Sequence, residues 1–168
     1  MIKDCVLFSI KPEYCDLIRK RIKTIEVRKT KPNIKSFYKG YIYETRNGGV
    51  IGEFLCDGYY TIPYDKTLKK YVLRYSFFYP SYALDRMQLS MDELCEYGKG
   101  KTLYGLCISK LKMYDEPINI KDFGLKRPPQ SWCYVNEYIP TMYYPQVPGI
   151  TPIVVKEEKK KGNKKDDK

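Results

Sequence analysis

The chain has 168 residues, enough for one domain with a core of its own. Its 31 basic and 20 acidic side chains give a formal charge of +11, of which the last segment, Lys156–Lys168, carries +3 and the body +8; this balance favours a polyanionic partner. There is no histidine, which excludes His-dependent triads and His-ligated zinc, and no apolar run approaches the ~18 residues of a membrane span.

The six cysteines include no C-x-x-C spacing, and Cys5, Cys56, Cys107 and Cys133 lie in apolar runs. They read as buried thiols in a reducing compartment. With nothing like a signal peptide at the N-terminus, a cytoplasmic protein is expected. No metal site or cofactor is expected.

Cys5-Val6-Leu7-Phe8-Ser9-Ile10 is short and apolar and predicts a buried strand. Pro12 suits a first helical turn, and Tyr14, Cys15, Ile18 and Ile22 recur at helical spacing, giving a helix over about Pro12–Arg21. Lys23–Arg28 then alternates polar and apolar, with Thr24, Glu26 and Arg28 on one strand face and Ile25 and Val27 on the other. Lys29–Tyr38 is a basic loop, Tyr41–Thr45 a strand, Asn47-Gly48 a hairpin turn, and Gly49–Asp57 the return strand.

Residues 57–89 read as an insertion, in which Leu68, Tyr71, Val72 and Tyr75 are spaced like one helical face before the aromatic run Phe77-Phe78-Tyr79. Ser90-Met91-Asp92-Glu93 is a capping box for a helix ending near Gly98. Thr102–Lys112 predicts a strand, Pro117–Gly124 a turn-rich link, and Trp132–Val135 the last strand. The expected organisation is a domain over 1–138, an extended Pro-rich arm over 139–155 and a charged disordered tail over 156–168.

Charged groups of all three kinds on one short strand can hold a phosphate or a base edge. Arg28 offers a planar fork, Lys23 a mobile point charge, and Glu26 an acceptor for an exocyclic amine; a solvent-facing, ion-paired strand is the plainer alternative. Trp132 and Tyr134, on one face of the last strand, offer rings for stacking or for plugging a barrel. Lys11, just past the first strand, is a further ligand candidate. Glu44 either balances the cleft charge or sits outward on its strand.

Arg21-Ile22-Lys23-Thr24-Ile25-Glu26-Val27-Arg28 resembles the G-x-K-x-x-E-x-R signature of the ASCH family, related to PUA-like domains. Leu7–Pro12, Gly49–Phe54 and the stretch with Leu94, Tyr97 and Gly98-Lys99-Gly100 resemble other segments of that family. The resemblance implies an α+β fold: a small PUA-like β-barrel with flanking helices and here a helical, aromatic insertion. It implies RNA or nucleotide binding beside the signature, through Lys11, Lys23, Thr24, Glu26, Arg28, Trp132 and Tyr134. Family members that hydrolyse acetylcytidine pair a lysine with a threonine nucleophile; Lys23 matches that lysine, but Glu26 stands where the threonine would be and cannot serve as a hydroxyl nucleophile. Lys23 and Glu26 are the acid–base candidates if the chain is an enzyme on a modified nucleoside or RNA. A third reading is a regulator of transcription that binds a protein partner through the aromatic insertion. Arg21 replaces the family's glycine and implies a shifted junction or a left-handed residue under mild strain.

Overall fold

The computed structural model describes residues 5–34, 37–73 and 80–138. The chain divides into two units, Met1–Tyr138 and Ile139–Lys168. The arm and tail expected over 139–168 lie outside the described residues, as do Tyr75, Phe77, Phe78 and Tyr79 of the insertion.

The elements are β1 (Cys5–Ile10), α1 (Pro12–Arg19), β2 (Ile25–Arg28), β3 (Tyr38–Glu44), β4 (Gly49–Cys56), β5 (Tyr59–Ile62), β6 (Tyr64–Asp65), β7 (Lys70–Tyr71), α2 (Pro80–Met87), α3 (Met91–Gly98), β8 (Leu103–Cys107), β9 (Ser109–Ile118) and β10 (Trp132–Val135), with a 3-10 turn at Ile120–Phe123 before β10. The mixed α+β content, mostly sheet with few helices, agrees with the expected class. A closed barrel does not form among the described residues. There is instead a five-stranded sheet, β10-β1-β3-β4-β9, and a three-stranded sheet, β2-β8-β5.

Two bends carry the chain between these sheets. The expected single strand over Thr102–Lys112 breaks at Ile108, whose N–H is bonded to the Thr24 carbonyl, while the Cys107 N–H is bonded to the Gly58 carbonyl. Up to this corner β8 pairs with β2 and β5; beyond it β9 pairs with β4 through two irregularities of register. β4 bends likewise at Asp57-Gly58 and enters β5. Each chain segment thus changes sheets, and no ladder among the described residues joins an edge of one sheet to an edge of the other.

The first strand is buried at every position, as a run without alternation demands. It pairs parallel with β3 and antiparallel with β10. α1 connects β1 towards β2 and buries Cys15 and Ile18 against Val6, Phe8 and Phe54. The capping box at Ser90 is present in both directions, with Ser90 Oγ accepting from the Glu93 N–H and Glu93 Oε2 accepting from the Ser90 N–H.

The turn between β6 and β7 corrects the helical reading of Leu68, Tyr71 and Val72. Asp65 Oδ1 accepts from the N–H groups of both Thr67 and Leu68, which tightens a turn between β6 and β7, and Lys69 takes φ +50°. Tyr71 lies on β7, with its hydroxyl donating to the Lys101 carbonyl, and α2 begins only at Pro80. The apolar spacing was real, but local Asx-turn bonds outweigh a one-turn helical pattern.

Arg21 does occupy the left-handed region, at φ +59°. Its N–H bonds the Ile18 carbonyl and the Ile22 N–H the Leu17 carbonyl, the paired bonds of a Schellman ending in which glycine is the usual residue. Arg21→Gly is expected to raise the unfolding free energy by about 0.5–1 kcal/mol, the relief of an L-residue in that region less the added chain entropy of glycine; denaturant titration measures it.

Burial pushes the Cys15 thiol up to about 12, with Glu44 and Glu26 adding to the rise. The unfolded thiol ionises from about pH 9 while the folded one keeps its proton, so stability is lost as pH rises from about 9 to 12. In Cys15→Ala the alkaline decline of unfolding free energy should be shallower over that window than in the wild type, whatever the offset at pH 7.

Candidate ligand-binding cleft

The Schellman turn ends α1 and delivers Lys23 directly to the start of β2. The Lys23 N–H is held by the same Leu17 carbonyl, and its side chain turns inward, with only 2% of its surface exposed. Glu26 and Arg28 follow at alternate positions and are also buried. The expectation of a shared polar face holds for these two, but the face looks inward, over the core formed around Phe8, and not to solvent.

Glu26 bridges the two cations. Its Oε1 lies 3.0 Å from Arg28 Nη2 and its Oε2 3.5 Å from Lys23 Nζ. Lys23 Nζ also donates to the Met87 carbonyl and sits 4.9 Å from the centre of the Tyr14 ring. Arg28 Nη2 donates to the Ser9 carbonyl at 2.7 Å, Nη1 reaches Ser131 Oγ at 3.4 Å, and the guanidinium lies 5.8 Å from the Phe8 ring centre. Arg28 Nε is buried with no acceptor among the described residues, so this cation retains hydrogen-bonding capacity. Burial holds the Lys23 ammonium below the ordinary lysine value, and Glu26 raises it part of the way back.

The three charges open into a cleft of about 470 Å³ between β1, β2 and α3. Lys11, Lys29 and Lys99 add positive charge around it, Glu93 and Glu96 negative charge, and Tyr14 and Tyr97 supply rings. Lys29 Nζ lies 4.7 Å from the centre of the Tyr97 ring. Burial pushes the hydroxyls of Tyr14 and Tyr97 up, so both stay protonated donors at neutral pH. The Glu93 carboxyl is held down by the Ser90 N–H and hydroxyl, which commits it to the helix cap.

Of the residues expected at the site, the structure brings together Lys11, Lys23, Glu26 and Arg28. Thr24 is placed elsewhere: its Oγ1 accepts from Arg86 Nε at 2.9 Å and its N–H bonds the Arg86 carbonyl, tying β2 to α2. Trp132 and Tyr134 do not line the cleft either. The indole Nε1–H donates to Thr30 Oγ1 and the Tyr134 hydroxyl accepts from the Asn33 N–H, so both rings pin the loop after β2. Glu44 is buried at its hairpin, where Asn47 Nδ2 donates to it. Sequence reasoning missed Tyr14, Lys29, Tyr97 and Lys99 as cleft residues. For Tyr97 and Lys99 the signal was in hand, since both lie in a segment resembling the ASCH family.

Among the described residues, no group of three Cys, Asp or Glu is placed to hold a metal, and no helix is long and apolar enough to cross a membrane.

Replacing Glu26 by Ala leaves two buried cations without their shared counter-charge and is expected to cost about 3–5 kcal/mol. Lys11→Ala, on an exposed side chain at the cleft rim, should stay within about 0.5 kcal/mol of the wild type; urea unfolding of both variants makes the comparison.

No family model and no curated protein matches the chain. Solved structures do. The crystal structure of ASCH from Zymomonas mobilis is 21% identical and has a TM-score of 0.63 over 80% of this chain and 90% of that one. Two single-substitution variants of that protein, one Tyr to Phe and one Ser to Ala, match at 20% identity with TM-scores of 0.60 and 0.62; they cover 80% and 81% of this chain and 92% and 91% of theirs.

Proposed function

From the ASCH-type, PUA-like fold that these likenesses establish, we propose that the chain is an RNA- or nucleotide-binding module whose ligand sits in the cleft beside Lys23, Glu26 and Arg28. The observation that carries this reading is the buried Lys23–Glu26–Arg28 group opening into a cavity of about 470 Å³. A packed apolar trio would serve stability as well, and an ammonium held down by burial at a cleft, as that of Lys23 is, marks a candidate functional site.

Each group has a task in this reading. Arg28, with a fixed fork and an unbonded Nε, and Lys23 supply positive potential at the cleft floor. Glu26 holds both cations in place and offers its carboxylate to a base amine. Tyr14 and Tyr97 are walls for a planar base, and Lys11, Lys29 and Lys99 attract phosphate at the rim.

The lowered pKa of Lys23 favours a second reading, in which the amine acts as a base on a bound nucleoside or RNA. Turnover that disappears in Lys23→Met while binding persists would establish it.

Calorimetry of the full chain with the four nucleoside 5′-monophosphates and a short single-stranded RNA tests the binding reading. Lys29→Ala and Lys11→Ala are expected to weaken RNA binding and to lower its salt slope by roughly one each, and Arg28→Gln to abolish saturable mononucleotide binding. Affinities unchanged in Arg28→Gln, with the variant folded by circular dichroism, would remove the cleft from the function.

A further inference from the structure

A second pocket of about 110 Å³ lies beside the same loop, lined by Lys31, Ile34, Phe37, Tyr38, Tyr59 and Leu106 among others. It is smaller than the roughly 150 Å³ cavity known to admit one benzene ring, so a planar base fits its mouth rather than its interior. Two aromatic side chains stand open at its mouth, Phe37 at 68% and Tyr59 at 49% exposure. Lys31 Nζ lies 4.4 Å from the centre of the Tyr59 ring, and Tyr104 meets that ring edge-on at 6.2 Å. On the pocket wall the Tyr38 hydroxyl, near the Cys56 thiol, is buried without a well-formed hydrogen bond among the described residues.

The register of the three-stranded sheet relates this pocket to the cleft. Glu26 on β2 is opposite Leu106 on β8, and Leu106 is opposite Tyr59 on β5. Directly paired residues project from the same sheet face, so Glu26, Leu106 and Tyr59 form one row. Two strand spacings separate its ends, about 10 Å. The connecting loop runs between the two places, with Lys29 lining the cleft and Lys31 the pocket. Trp132 and Tyr134 hold that loop at Thr30 and Asn33.

We propose that the pocket is a second base site, and that the ligand is a single-stranded RNA spanning both sites rather than a lone nucleotide. The proposal rests on the cleft reading above and extends it. One nucleotide sits at Glu26 and Arg28; a neighbouring base stacks at Tyr59 and Phe37. Lys31, a point charge on a flexible stem, leaves the ring for the backbone phosphate as the base arrives. The exposed ring surface of Tyr59 and Phe37 is then covered, and the two lysines flanking Thr30 follow the strand from one site to the next.

The test uses the full chain with a six-nucleotide single-stranded RNA of mixed sequence and the four nucleoside 5′-monophosphates. The hexamer should bind more tightly than any monophosphate. Tyr59→Ala should weaken the hexamer roughly 5- to 150-fold, the range for loss of one base–aromatic stack, while Tyr59→Phe restores it and the best-bound monophosphate is unaffected by either. Lys31→Ala should weaken the hexamer alone. Hexamer binding that survives Tyr59→Ala and Lys31→Ala but falls in Arg28→Gln overturns the second site and leaves the cleft. Binding of both ligands that is indifferent to Arg28→Gln overturns the cleft reading, and the two-site path with it. Equal loss in Tyr59→Ala and Tyr59→Phe also overturns the stacking role.

Discussion

One carboxylate between two buried cations organises this molecule. Glu26 lies within salt-bridge distance of both Lys23 and Arg28, and none of the three is more than 8% exposed. Charges taken this far from water are tolerable only when each finds partners. Here further partners come from three other parts of the chain: the Ser9 carbonyl of β1, the Met87 carbonyl at the end of α2, and Ser131 just before β10. The trio thereby ties β2, a member of the smaller sheet, to elements of the larger one. Displacing any of these elements would strand a charge.

The two sheets permit this arrangement because two segments bend between them. β4 passes into β5 at Asp57-Gly58, and β8 into β9 at Ile108. A ring of continuous ladders would fill its interior with side chains. Here β2 is an edge strand among the described residues, and α3 stands beside it with Tyr97 and Lys99 at the cleft. The cleft therefore has a charged floor from β2 and a rim drawn from β1, α1, α3 and the loop after β2.

Much of the local structure was legible in the chain itself. The buried run Cys5–Ile10, the alternation through Arg28, the Asn47-Gly48 turn and the Ser90–Glu93 capping box each express a short-range rule, and each element formed where that rule applies. Arg21 was legible too, as a left-handed residue where the ASCH signature has glycine. The failures were long-range. Leu68, Tyr71 and Val72 keep helical spacing, but Asp65 captures the backbone in a turn first. Thr102–Lys112 reads as one strand because nothing in its residues announces that the pairing partner changes at Ile108.

The candidate site divides in the same way. Alternation determined that Glu26 and Arg28 would share one face of a short strand, because a period of two is a property of the strand alone; Lys23, three residues before Glu26 and ahead of β2, joins them only through the turn that ends α1. Only the tertiary structure decided that this face turns inward, that Thr24 is drawn to Arg86, and that Trp132 and Tyr134 brace a loop instead of lining the cleft. Tyr14, Lys29, Tyr97 and Lys99 converge on the cleft from three separate parts of the chain. Their meeting depends on how helices and sheets pack, and packing is a relation between distant segments that no single segment carries.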